Sequence, residues 1–325
     1  MNKKSERRMS KMLIVSTITP SEEIQQHIKQ AFPNVTFKYE EVWNDKSLAE
    51  AEVLITYGED LTDEHIEKAK KLKWIMVMSA GLEKMPFKSI EERGILVTNA
   101  RGIHKIPMAE YTFGMMLQYE KRLKQLIQQE RDENWQRSIV TGELHGKSIL
   151  ILGTGAIGGE IARLAKAFGM TTMGINRSGQ IVEYIDILYK MEELLAVLPQ
   201  ADYIVSVLPS TKETRYILTK KHFQAMKSSA VFINIGRGDL VKEFVLLEAL
   251  EKKEITHAIL DVFKSEPLPR NHPYWNMENV TVTPHLSSQS DQYLPRCFVI
   301  FEKNLQEYVS NGKKYINVID INRGY

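Results

Sequence analysis

The sequence predicts an α/β protein of two domains, each a doubly wound parallel sheet, and three observations lead there. Short, almost wholly apolar runs alternate with helical patterns along most of the chain. One such run, 148–152, ends in the glycine-spaced turn Gly153-Thr154-Gly155-Ala156-Ile157-Gly158, with a helical pattern and a further strand behind it. The length, 325 residues, exceeds what one hydrophobic core usually fills.

Composition narrows the class. The chain is 43% hydrophobic and 26% charged with a formal net charge of +2, so neither a nucleic acid nor a membrane surface is expected as a partner. The basic stretch Lys3-Lys4-Ser5-Glu6-Arg7-Arg8 is short and lacks the apolar region of a signal peptide. No apolar run approaches the ~20 residues of a spanning helix. The single cysteine, Cys297, excludes an internal disulfide and a multi-cysteine metal site, and its neighbours Phe298 and Ile300 mark it as a buried apolar residue. No histidine shows metal-ligand spacing, so no metal is expected, and the setting reads as reducing and cytoplasmic.

In order, Met12 to Ser16 is a first strand, and Thr19-Pro20-Ser21-Glu22 opens a helix to about Ala31. Val35 to Tyr39 alternates as a strand should. Ala51 to Ile55, Lys73 to Met78 and Ile95 to Thr98 are further apolar strands, with a helix over Asp63 to Leu72. From Pro107 to about Arg131 spacings of three and four predict one long helix, suited to bridging domains or subunits. Ser148 to Leu152, Thr171 to Ile175, Ala201 to Leu208, Ala230 to Ile235, Ile259 to Val262 and Val280 to Pro284 supply a second sheet. Helices are expected at Lys221 to Met226 and Lys242 to Lys252. A last helix from Asp291 to about Ser310, and Tyr315 to Ile319, have no place in that sheet and return to the first domain. The expected division is 1–105 with 289–325, and 106–288.

The glycine turn has a physical reading. Gly153 permits a tight turn, Gly155 lets backbone approach a pyrophosphate, and Gly158 lets the helix pack close to the strand. The N–H groups from Ala156 through Ile157 to Gly159 then face phosphates at a helix N-terminus. A dinucleotide is the expected ligand. At the end of the next strand an NAD site wants a carboxylate for the ribose 2′-hydroxyl. The chain has Asn176-Arg177-Ser178 instead, where Arg177 can pair with a 2′-phosphate and its polar neighbours can donate hydrogen bonds. NADP(H) is therefore expected in preference to NAD(H).

In an open α/β sheet, ligands bind beyond the carboxyl ends of the strands. Asn234-Ile235-Gly236-Arg237-Gly238, Asp261 and His285 stand at such ends, with Glu266-Pro267-Leu268-Pro269 between the last two. These motifs occur with Asn99-Ala100-Arg101-Gly102, Met108-Ala109-Glu110-Tyr111, Leu208-Pro209 with Thr211 and Thr214, His272-Pro273 and Thr283-Pro284-His285. In this set and order the sequence resembles the D-isomer-specific 2-hydroxyacid dehydrogenases, particularly glyoxylate and hydroxypyruvate reductases, over nearly its whole length.

The resemblance implies a Rossmann-type domain over 106–288, a smaller flavodoxin-like domain from 1–105 and 289–325, and a cleft between them. It implies His285 as general acid and base, Glu266 as the carboxylate on its other ring nitrogen, and Arg237 as the clamp on the substrate carboxylate. Backbone N–H groups of Ala80, Gly81 and Leu82 would hold that carboxylate from the first domain. Leu208, Pro209, Thr214, Ile235 and Gly236 fall in the cofactor motifs, and Asp261 would accept a hydrogen bond from the nicotinamide carboxamide. Arg101 and His104 are further candidates for substrate contact. Leu286-Ser287-Ser288 departs from the small residues and glycine that many relatives carry after the histidine.

The expected activity is NADP(H)-dependent interconversion of a small 2-keto acid and its D-2-hydroxy acid, by a homodimer. A dinucleotide-regulated corepressor, or an NAD-dependent enzyme similar to 3-phosphoglycerate dehydrogenase, are the other readings. Formate dehydrogenase shares the fold, but Glu266 stands where a glutamine is expected.

Overall fold

The computed structural model describes residues 12–79, 82, 84–177 and 179–321. Residues up to Ile103 together with those from Ser290 form one compact unit, and His104–Gln289 forms another.

In the first unit, β1 (Met12–Ser16), α1 (Glu22–Ala31), β2 (Val35–Tyr39), α2 (Asp45–Glu50), β3 (Val53–Thr56), α3 (Asp63–Lys68), β4 (Trp74–Val77), α4 (Phe87–Glu92) and β5 (Leu96–Asn99) alternate along the chain. The five strands are parallel in the order β2-β1-β3-β4-β5. Every residue of β3 and β4 is buried, which is what a parallel strand covered on both faces requires of its sequence. Helix starts follow local chemistry: Ser21 accepts from Ile24 N before the acidic Glu22 and Glu23, and Asn44 accepts from Lys46 N. α2 and α4, six residues each, were not expected from the sequence.

The second unit opens with α5 (Lys105–Glu120) and α6 (Leu123–Arg131), where one continuous helix was expected. The break lies at Arg122, which takes a left-handed φ of 53° while its guanidinium sits 5.0 Å from the centre of the Tyr119 ring. Its cause is Glu120. This carboxylate turns inward to accept from Tyr203 and Lys147, and its backbone carbonyl accepts from Gly142 N at 2.8 Å. No glycine or proline marks the spot, so the period alone runs straight through it.

Then follow β6 (Ser148–Leu152), α7 (Ala156–Ala167), β7 (Thr171–Ile175), β8 (Ile187–Tyr189), α8 (Leu194–Val197), β9 (Tyr203–Ser206), α9 (Lys220–Ala225), β10 (Val231–Asn234), α10 (Glu243–Glu251), β11 (His257–Leu260) and β12 (Val280–Val282). Seven parallel strands lie in the order β12-β11-β10-β9-β6-β7-β8. The direction of winding reverses between β6 and β9, and a doubly wound sheet offers its ligand crevice at such a point.

The chain then returns to the first unit as α11 (Tyr293–Val309). Cys297, Phe298, Phe301 and Leu305 on this helix are buried, and Phe301 stacks on Trp74 at 5.4 Å. Burial pushes the Cys297 thiol up to about 12, in keeping with an inert core residue. Residues 315–319 form no strand; they meet the edge of β5 through a single antiparallel bridge, Thr98 with Val318.

Candidate active site

β6 is buried from Ile149 to Leu152 and ends where the chain must turn. Gly153 has a φ of 99°, open to glycine at no steric cost, and its N–H donates to Ile175 O at the end of β7. Gly158 is required by proximity: a Cβ there would lie 2.1 Å from Gly153 O. Gly155, the N-cap of α7, differs from both, since a Cβ built on it meets nothing within 4 Å. That open space lies beside the first turn of α7, Ala156 and Ile157 included, whose N–H groups have no acceptor within the helix. The turn therefore fits a dinucleotide pyrophosphate.

At the end of β7, Asn176, expected to offer hydrogen bonds to a 2′-phosphate, donates its amide to Thr154 Oγ1 at 3.0 Å and Gln180 O at 3.1 Å, and its carbonyl accepts from Gly179 N at 2.7 Å. Both amide hydrogens are spent on tying this loop to the glycine turn. Ser178 lies outside the described residues. Arg177 is exposed, and its charge is felt at Glu213, whose carboxyl is lowered first by a hydrogen bond from Thr211 and further by Arg177 and Lys212.

Beyond β9, Leu208 is buried, and Thr214 folds the turn after Pro209. Its hydroxyl donates to Pro209 O at 2.5 Å and accepts from Thr211 N at 2.8 Å, so this side chain shapes the loop. Beyond β10, Ile235 is core. Gly236 lies so close to Leu208 that a Cβ would sit 2.6 Å from its carbonyl oxygen, and a Cβ on Gly238 would sit 2.0 Å from Phe263 C. Arg237 is thus held between two backbone contacts, one to the loop after β9 and one to the loop after β11. Asp239 Oδ2 adds a link to the first of these, accepting from Ser210 at 2.6 Å.

Glu266 and His285 come together. Glu266 Oε2 is 2.7 Å from His285 Nδ1, while Oε1 accepts from Phe263 N at 2.8 Å. A carboxylate on Nδ1 places the proton there and leaves Nε2 as the working nitrogen. His285 has a φ of 51°, a left-handed conformation that costs a residue with a Cβ about 1–2 kcal/mol. Its surroundings sustain this: Asp261 O accepts from His285 N at 2.9 Å, and the Asp261 carboxylate accepts from Leu286 N and Ser287 N, each at 2.9 Å. Asp261 is fully buried, and anchoring the histidine loop is a function that its sequence position alone did not reveal.

His104, at the start of the second unit, is buried near the backbone of Ser288 and within reach of the Arg237 charge. Burial holds its imidazole below the usual value, and the Arg237 charge adds to this against a hydrogen bond with Ser288. Arg101 is in the first unit, exposed, with its carbonyl accepting from Asn317 at 2.8 Å. Leu82 follows β4 with its side chain buried; Ala80 and Gly81 lie outside the described residues. Among the described residues no group of acidic, histidine and cysteine side chains is arranged to hold a metal ion, and no helix is long and apolar enough to cross a membrane.

The sequence profile described as D-isomer specific 2-hydroxyacid dehydrogenase, NAD binding domain, matches residues 113–287, more than half of the chain. The chain belongs to that family. The match takes in the glycine turn and the candidate residues Arg237, Glu266 and His285, so the dinucleotide of that turn is a nicotinamide dinucleotide and the protein is a 2-hydroxyacid dehydrogenase. Glyoxylate reductase of Aeropyrum pernix is 31% identical, over 83% of this chain and 83% of that protein. D-3-phosphoglycerate dehydrogenase of Methanocaldococcus jannaschii is 31% identical over 85% of this chain, which spans only 53% of its length. The crystal structure of a D-isomer specific 2-hydroxyacid dehydrogenase family protein from Aeromonas salmonicida superposes with a TM-score of 0.85 at 32% identity, covering 96% of this chain and 100% of that one.

Proposed function

We propose that this 2-hydroxyacid dehydrogenase is an NADPH-dependent reductase of small 2-keto acids such as glyoxylate or hydroxypyruvate. The observation that carries the reading is the 2.7 Å contact between Glu266 and His285 on the sheet that bears the dinucleotide turn. In reduction the nicotinamide supplies a hydride to the keto carbon. His285 Nε2 delivers the proton to the keto oxygen, and Glu266 stabilises the imidazolium before transfer and keeps the tautomer fixed after it. Arg237 holds the substrate carboxylate with a planar, permanently charged fork. In the oxidative direction His285 takes the hydroxyl proton back. Asp261 serves this chemistry by anchoring the loop that carries His285.

Support for NADPH comes from the end of β7, where the segment 176–180 carries no Asp or Glu for a ribose 2′-hydroxyl and Arg177 is exposed. The M. jannaschii relative supports a second reading, reduction of phosphohydroxypyruvate with NADH. Steady-state assays of glyoxylate, hydroxypyruvate and phosphohydroxypyruvate, each with NADPH and NADH, decide between them. Preference for NADPH with an unphosphorylated keto acid is the expected result; absence of turnover with every pair overturns both readings.

The assembly is a homodimer. α6 carries Leu123, Leu126 and Ile127 on one face and buries none of its residues within the chain, and Trp135 and Val140 are exposed in the segment that follows. Exposed apolar side chains gathered on and just after one helix fit a second copy of the chain.

A further inference from the structure

A line of hydroxyl groups runs from α5 to the loop that carries His285. Thr283 lies just past β12, and its Oγ1 donates to Asp261 Oδ1 at 2.6 Å. The hydroxyl of Tyr111, on α5, is 2.6 Å from the same Thr283 oxygen. Counting hydrogens fixes the direction. The Asp261 carboxylate already receives the N–H groups of Leu286 and Ser287, so it acts only as an acceptor. The one hydroxyl hydrogen of Thr283 goes to it, and Tyr111 must therefore donate to Thr283. Burial raises the Tyr111 phenol above its usual range, which keeps that proton in place. The line ends on a charge, so each link polarises the next.

We propose that Tyr111 and Thr283 are positioning residues for His285. They fix the rotation of the Asp261 carboxylate, whose contacts to Leu286 N and Ser287 N hold residues 283–287 and the left-handed backbone of His285 in the geometry that directs Nδ1 to Glu266. The proposal rests on His285 being the acid and base of the reaction. A role for Tyr111 limited to packing α5 against the sheet predicts something different: removal of the hydroxyl alone, with the ring left in place, would change nothing at His285.

The test uses the full chain and the variants Tyr111→Phe, Thr283→Val and Thr283→Ser. Two quantities are read: kcat and KM with the best keto acid and cofactor, and the low-field proton resonance of His285 Nδ1–H, assigned by its loss in Glu266→Gln. Thr283→Val is expected to lower kcat about tenfold, and Tyr111→Phe somewhat less, with the cofactor KM within about twofold of the parent. In both, the low-field resonance moves or broadens into solvent exchange. Thr283→Ser returns the hydroxyl and is expected to restore kcat and resonance together. Parent-like kcat and an unmoved resonance in Thr283→Val and Tyr111→Phe overturn the proposal, as does a Thr283→Val defect that serine fails to rescue. Should the parent reduce no keto acid, the reading of the reaction fails separately, and the resonance alone decides whether these hydroxyls hold the loop.

Discussion

Gly155 and Gly158 serve the same turn for different reasons, and alanine separates them. At Gly158 the added carbon collides with Gly153 O, so Gly158→Ala is expected to destabilise the protein by about 2 kcal/mol or more, read as a lower denaturation midpoint. At Gly155 it enters open space, so Gly155→Ala should stay within about 1 kcal/mol of the parent without cofactor. Its dinucleotide affinity should nonetheless fall at least about tenfold by fluorescence titration, because the same space receives the pyrophosphate. His285→Ala should reduce kcat by about 10²–10⁴ while dinucleotide binding persists, and near-normal turnover would remove His285 from the mechanism. Arg177→Ala should shift the ratio of kcat/KM for NADPH over NADH about tenfold toward NADH, equivalent to ~1.4 kcal/mol. The glycines were legible because each carries its requirement in its type and spacing. The contacts of Asn176 to Thr154 and Gln180 were not legible, because they are fixed by tertiary structure and no spacing rule names them.

At the scale of elements, the sequence was most readable where an element is buried on all sides. β3, β4 and β9 are buried throughout and apolar but for the terminal Thr56 and Ser206, so they stand out without context. β8 is three residues long and only partly covered, and nothing in Ile187-Leu188-Tyr189 sets it apart from a loop. The end of α5 depends on Glu120 finding Tyr203, 83 positions later in the chain. At the start of β11, His257 meets Thr281 on β12 with Nε2 at 2.9 Å, beside the Tyr119 ring, Lys124 and Arg122. Burial, then the Lys124 and Arg122 charges, push its imidazole down to about 4. Between about 6.5 and that value the unfolded chain binds a proton that the folded one refuses. Stability should therefore fall as pH drops through this window and level off below it, with His257 contributing up to about 3 kcal/mol. Urea unfolding at several pH values, compared with His257→Gln, isolates this contribution; an equal slope in both proteins would refute it.

For the whole molecule, the apolar face of α6 predicts a particle of about twice the 37.4 kDa of one chain in light scattering. Ile127→Glu, which places a charge in that face, should yield a single-chain mass with little change in thermal midpoint. The order of elements has a further consequence, for biosynthesis. His104–Gln289 is contiguous and can complete its core as soon as it clears the ribosome. The unit that contains β1 must wait: Phe301 and Leu305, which are fully enclosed against Ile14, Val53 and Trp74, are made only after the whole of His104–Gln289. The unit started earlier thus matures after the one that follows it, and until α11 arrives its uncovered sheet face is the surface a chaperone has reason to guard.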